Sequence, residues 1–116
     1  MVDTFLCKRK FKVWFFTPSH STLIIRSEKQ YDDVDYIVKY DEPDLTIDVE
    51  FTDVKFISIP QYFNEIKIKK ADNKFIFNDN ENWFIEAFSC VVGKSNFELN
   101  ENVFSGLKYT EVIEIK

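Results

Sequence analysis

Glycine is nearly absent from this chain. Gly93 and Gly106 are the only two in 116 residues, and proline stands only at positions 18, 43 and 60. A phosphate-cradling loop needs several closely spaced glycines, so the usual dinucleotide and P-loop sites are excluded and no nucleotide or flavin is expected. Turns must rely on Asn and Asp, which tolerate left-handed backbone and bond their own main chain. Asn78-Asp79-Asn80-Glu81-Asn82 has that composition.

Metal-binding and redox residues are equally sparse. His20 is the single histidine, and Cys7 and Cys90 belong to no Cys-x-x-Cys pair. A structural zinc site takes about four ligands, so no metal is expected, and the two cysteines read as reduced thiols. No apolar run approaches the roughly 20 residues that span a bilayer. The N-terminus meets Lys8-Arg9-Lys10 without the apolar stretch of a signal peptide. The expectation is a cytoplasmic protein with no cofactor and no membrane contact.

No catalytic residue emerges either. His20 lies in Thr17-Pro18-Ser19-His20-Ser21, which reads as a loop, because adjacency in sequence supplies none of the geometry of a nucleophile, its base and an orienting group. An enzyme is therefore not expected. A hydrolase built on paired carboxylates stays open as an alternative, since acids are plentiful.

What the chain does have is core material. Hydrophobic residues make up 45%, with 13 Phe, 5 Tyr and 2 Trp, enough for one domain spanning residues 1–116. A second alternative function uses the same aromatics to line a cavity for a small apolar ligand.

Strand signals dominate. Leu45-Thr46-Ile47-Asp48-Val49-Glu50-Phe51 alternates apolar and polar without a fault, and Val34, Tyr36, Val38 and Tyr40 alternate in the same way with Asp35 and Lys39 between them. Joined by Asp41-Glu42-Pro43-Asp44, the two runs predict a hairpin with Tyr40 facing Leu45, Val38 facing Ile47, Tyr36 facing Val49 and Val34 facing Phe51. A second hairpin is predicted from Ile66–Lys69 and Lys74–Phe77 across a four-residue loop, with Ile68 facing Phe75. A shorter Asp72-Asn73 turn is the alternative, and it is expected to scramble the apolar faces. Further strands are expected at 11–16, 22–26, 54–59 and 109–115. Thr52-Asp53 reads as a turn or a bulge, with poor hairpin chemistry favouring the bulge. Trp83 to Val92 reads either as a strand or as one short helix near residues 80–92. Its aromatic and β-branched content favours the strand. The expected fold is mainly β, with antiparallel hairpins forming a small sandwich or partly open barrel.

Charge is unevenly placed. The net charge is −5, but residues 1–27 carry +4, residues 28–53 carry −8 and residues 54–116 carry −1. The basic Lys8-Arg9-Lys10-Phe11-Lys12 could touch nucleic acid, but phosphate repels an acidic chain, so no nucleic-acid partner is expected. The predicted hairpin sets Asp35 opposite Glu50 and puts Asp33 and Asp48 on the same outer side. Like charges facing across a sheet are unfavourable, and a basic partner would relieve them. Asp33, Asp35, Asp48 and Glu50 are therefore the candidate partner-binding residues.

The short acidic chain, the acidic run from Asp32 to Asp53, and Ile47-Asp48-Val49-Glu50-Phe51-Thr52-Asp53-Val54-Lys55-Phe56-Ile57-Ser58-Ile59-Pro60 resemble the immunity proteins of bacterial toxin systems and phage-encoded inhibitors. That resemblance implies a protein that caps a partner with a basic surface, stoichiometrically and without chemistry.

Overall fold

The computed structural model describes residues 2–31, 33–37, 39–95 and 111–116. Among these residues nine strands follow in chain order: β1 (Thr4–Cys7), β2 (Phe11–Thr17), β3 (Thr22–Ser27), β4 (Thr46–Ser58), β5 (Tyr62–Phe63), β6 (Ile66–Ala71), β7 (Lys74–Phe77), β8 (Asn80–Ser95) and β9 (Glu111–Ile115). They form one open antiparallel sheet in the order β1-β6-β7-β8-β4-β3-β2-β5, with β9 paired to the C-terminal half of β8. No helix occurs among the described residues, so the alternative of a short helix near 80–92 is replaced by β8. Gly93 sits inside that strand, between Asp48 and Val112.

The spine is the long ladder between β4 and β8, running from Thr46↔Ser95 to Ser58↔Phe84. On β4 the predicted alternation holds: Ile47, Val49 and Phe51 are buried. Their partners are different from those predicted. β4 pairs with β3, setting Leu23 opposite Phe51 and Ile25 opposite Val49. The segment from Val34 to Tyr40 forms no strand in its described residues, and Val34 lies exposed. Val38 lies outside the described residues. The physical reason is electrostatic as well as apolar. The predicted hairpin would place Asp35 against Glu50 and leave Asp48 facing Ile37, whereas β3 offers Arg26 directly opposite Asp48. A buried carboxylate needs that cation.

The second hairpin forms with the shorter turn. Ala71 pairs with Lys74, Lys70 with Phe75 and Ile68 with Phe77, so Asp72-Asn73 makes the connection, with Asp72 at φ 58°. The expected scrambling does not occur, because sliding the register by two residues keeps every side chain on its own face. Ile66, Ile68, Phe75 and Phe77 are all buried. Asn78 and Asp79, both at φ 56°, turn β7 into β8. This is the sign pattern of a tight hairpin turn made without glycine. Between Phe51 and Phe56 the strand continues through an irregularity: Asp53 has φ 52° and the register shifts between Val54 and Phe56. The bulge is therefore found in place of a turn. Tyr109 and Thr110, expected in the last strand, lie outside the described residues.

The sheet curls. Phe63 of β5 stacks on Phe77 of β7 at 5.1 Å and meets Trp83 edge-on at 5.8 Å, although β5 and β7 are far apart in strand order. Phe51 meets Phe75 edge-on at 5.6 Å in the same cluster. The core phenylalanines thus fill one another's space, and ring pairs of this kind add about 0.5–1.5 kcal/mol each beyond their buried area.

Candidate functional site

β3 and β4 are paired neighbours, with Ser27 opposite Ile47. Two to five residues normally suffice to join such strands. Here eighteen intervene, residues 28–45. Connections of that length are most often functional.

The loop is held at several points. The Gln30 N–H donates to Pro43 O at 2.7 Å, the Tyr40 N–H to Gln30 Oε1 at 2.9 Å, and the Tyr31 N–H to the Tyr36 hydroxyl at 3.1 Å. The Lys10 N–H reaches the Tyr40 hydroxyl at 3.2 Å, tying the loop to the β1–β2 connection. Lys94 and Glu42 pair at 3.5 Å. At its base sits Arg9. Its Nη2 donates to Glu28 O at 3.1 Å and to Leu45 O at 2.8 Å, gripping both ends of the loop, and its guanidinium carbon lies 4.3 Å from the centre of the Tyr40 ring.

Arg9 is buried, and its Nε and Nη1 make no hydrogen bond of good geometry, although the Tyr40 side chain lies close enough to support the charge. Leaving buried donors unmet costs about 1–3 kcal/mol per group. Burial pushes the guanidinium pKa down from its ordinary value, against the opposing influence of Cys7, Tyr40 and Glu42. Burial likewise raises the Cys7 thiol, with Arg9 pulling it back. Cys7 and Cys90 are both free thiols.

The loop holds most of the protein's charge imbalance. Residues 28–45 contain seven acids and two lysines, a net −5, which equals the charge of the whole chain. Asp33, Asp35, Asp41, Glu42 and Asp44 are exposed. Among them Val34 is 47% exposed and Ile37 fully so.

The four candidate residues do not share a face. Asp33 and Asp35 lie exposed on the loop. Asp48 is fully buried on β4, where Arg26 holds it in a bidentate pair, Nε to Oδ1 at 2.6 Å and Nη2 to Oδ2 at 2.8 Å. Trp14 lies 4.8 Å from the Arg26 guanidinium. Glu50 is half-buried between Ile24 of β3 and Val91 of β8. The repulsion expected between Asp35 and Glu50 is therefore not built into the fold.

Sequence reasoning passes over Arg9 because it takes Lys8-Arg9-Lys10-Phe11-Lys12 together as one basic run. A signal was present: the chain has only Arg9 and Arg26 among fifteen basic residues, and both are buried. Arginine serves buried pairing better than lysine, because its planar fork is less strongly hydrated and makes several bonds at once.

Two clefts flank the loop and share Tyr40. One, of about 600 Å³, is lined by Tyr31, Tyr36, Tyr40 and Tyr62 with Lys12 and Lys29. The other, of about 530 Å³, lies between β1 and the loop. His20 sits on the exposed β2–β3 turn, its Nδ1 3.1 Å from Ser19 Oγ. Among the described residues no three His, Cys, Asp or Glu side chains converge as a metal would need, and no helix is long and apolar enough to cross a membrane. No family model, curated protein or solved structure matches the chain.

Proposed function

We propose that the protein acts by stoichiometric binding of another protein, as a cytoplasmic inhibitor of a partner with a basic surface, and does no chemistry itself. The observation that carries this reading is the 28–45 loop. It is far longer than its connection requires, it is anchored at both ends, its sequence carries a net −5, and it leaves Val34 and Ile37 exposed. An apolar anchor ringed by charge of one sign is the usual division of labour at an interface: apolar contact for affinity, charge for steering and partner choice. The resemblance of the acidic run to bacterial immunity proteins points the same way. Asp33 and Asp35 are exposed acids of this loop, and Asp41 and Asp44 are exposed on it as well.

The test is kinetic. With the partner recovered by affinity capture and shown to bind one-to-one, Asp33→Asn with Asp35→Asn should slow association by roughly tenfold at low salt and flatten its salt dependence. Ile37→Ala should instead speed dissociation, since short-range contacts act there. Association that is indifferent to both the double substitution and the salt concentration would remove the loop from the interface.

A further inference from the structure

Phe88 and Phe56 are large apolar side chains left mostly in water, 77% and 56% exposed. Successive strand residues alternate between faces, so Phe84, Glu86 and Phe88 of β8 share the face opposite buried Ile85 and Ala87. The register adds Phe56 of β4 on one side of Glu86 and Lys74 of β7 on the other. Phe56 stacks on Phe84 at 5.5 Å, with the rings 11° from parallel. Lys74 Nζ lies 4.6 Å from the centre of the Phe84 ring. Glu86 thus stands at the centre of a patch made by three phenylalanines and one lysine. Scattered apolar residues on a surface need no explanation, but contiguous ones mark a contact site.

The charges of the patch say what covers it. Lys74 and Glu86 face each other across β7 and β8, yet neither forms an ion pair among the described residues. The next charges on β4, Asp53 and Lys55, pair with each other at 3.3 Å. The centre is therefore neutral, whereas a nucleic acid or an anionic membrane surface is drawn by a basic excess. A face that carries one cation and one anion side by side is complementary to itself after a half turn. From Thr46, where the acidic loop joins, to Phe56 is ten residues of β4, roughly 30 Å along an extended strand. Contact at the patch leaves the loop free.

We propose that this face pairs two copies of the chain about a two-fold axis, each copy's Lys74 on the other copy's Glu86. Phe56, Phe84 and Phe88 of the two copies pack together around these ion pairs and exclude water from them, which strengthens the attraction. The same patch serves on both sides, so the contact closes at two. The sheets meet face to face, as in a sandwich. A few exposed rings per copy make a small interface, and the dimer is reversible.

Sedimentation of the full chain over a concentration series is the test. Reversible association from 13.9 kDa to twice that mass is expected, with a Kd on the order of 100 μM or tighter. Phe88→Ser should weaken it about tenfold. Glu86→Lys and Lys74→Glu, each alone, set like charges against each other across the axis and should weaken it by about as much. Mixed together, the two reversed variants should associate again, because each supplies the charge that the other lacks. Phe88 and Lys74 are exposed, so circular dichroism and melting should stay near the parent's. If Glu86→Lys does not fold, Phe88→Ser and Lys74→Glu decide. A chain still monomeric at roughly 1 mM, a dimer indifferent to Phe88→Ser, or reversed variants that fail to associate on mixing would overturn the proposal. Growth beyond the dimer would overturn its two-fold closure. Binding of anionic vesicles or of a single-stranded oligonucleotide by a chain that stays monomeric would give the face to that occupant instead.

Discussion

Asp48 and Arg26 face each other across β4 and β3 with almost no access to water, 0% and 1% exposed. Desolvating both charges offsets much of their attraction, so the pair adds little net stability as a pair, but removing one partner strands the other. Asp48→Asn is expected to lower folding stability by about 3–5 kcal/mol, read as a large drop in the urea midpoint. Replacing both together, Asp48→Leu with Arg26→Met, should recover most of the loss. A single substitution with a near-native midpoint would mean that water reaches the pair. Asp33 offers the contrast: it is exposed and off the sheet, and its removal should move stability by no more than about 0.5 kcal/mol. Two aspartates that look alike in sequence thus do opposite work.

At the scale of elements, the 28–45 loop is an addition to a sheet that does not need it. The bond from Gln30 N–H to Pro43 O brings its two legs together at 2.7 Å. Residues 31–42 can therefore be replaced by an Asn-Gly pair without moving β3 or β4. Shortening the loop recovers roughly 0.5–1 kcal/mol of closure entropy, and losing Tyr40 from the buried Arg9 guanidinium costs about 2 kcal/mol. The excised protein is expected to keep its β circular dichroism and to melt several degrees below the parent, while partner association is lost. Collapse of the β signal would show that the loop is part of the folding unit. The same contrast explains what could be read in advance. Patterns that needed only a strand and a face, as in β2, β3, β4 and β7, were legible. The pairing of β4 was not, because alternation names a face and leaves the partner open.

Over the whole molecule, charge and core are segregated: the loop accounts for the net −5, and the remainder of the chain is balanced. Cys90 marks the centre of the balanced part. It pairs with Phe51 on one side and Ile115 on the other and is fully buried. Burial raises its thiol pKa well above the ordinary range. The folded state therefore favours the protonated thiol. Its contribution to stability is complete below the unfolded thiol pKa, about 8.5, and is lost as pH climbs toward the raised folded value. Labelling with a thiol reagent should reach Cys90 only when β4, β8 and β9 separate, at a rate set by unfolding. Stability should also fall as pH rises above about 9, less so in Cys90→Ala. Fast labelling of Cys90 under native conditions would show that the β4–β8 spine opens locally.

The sequence by itself determined the fold class, the single sheet-forming core and the acidic centre of the chain. Alternation, abundant aromatics and turns made from Asn and Asp are local properties, and local chemistry suffices to set them. Tertiary structure alone decided which acids are available. It drew Asp48 inward against Arg26, left Asp33 and Asp35 outside, and buried Arg9 from within a run of basic residues. Each of these choices depends on a partner distant in sequence, because a charge can enter a low-dielectric interior only where the folded chain brings its neutralising or hydrogen-bonding group to meet it.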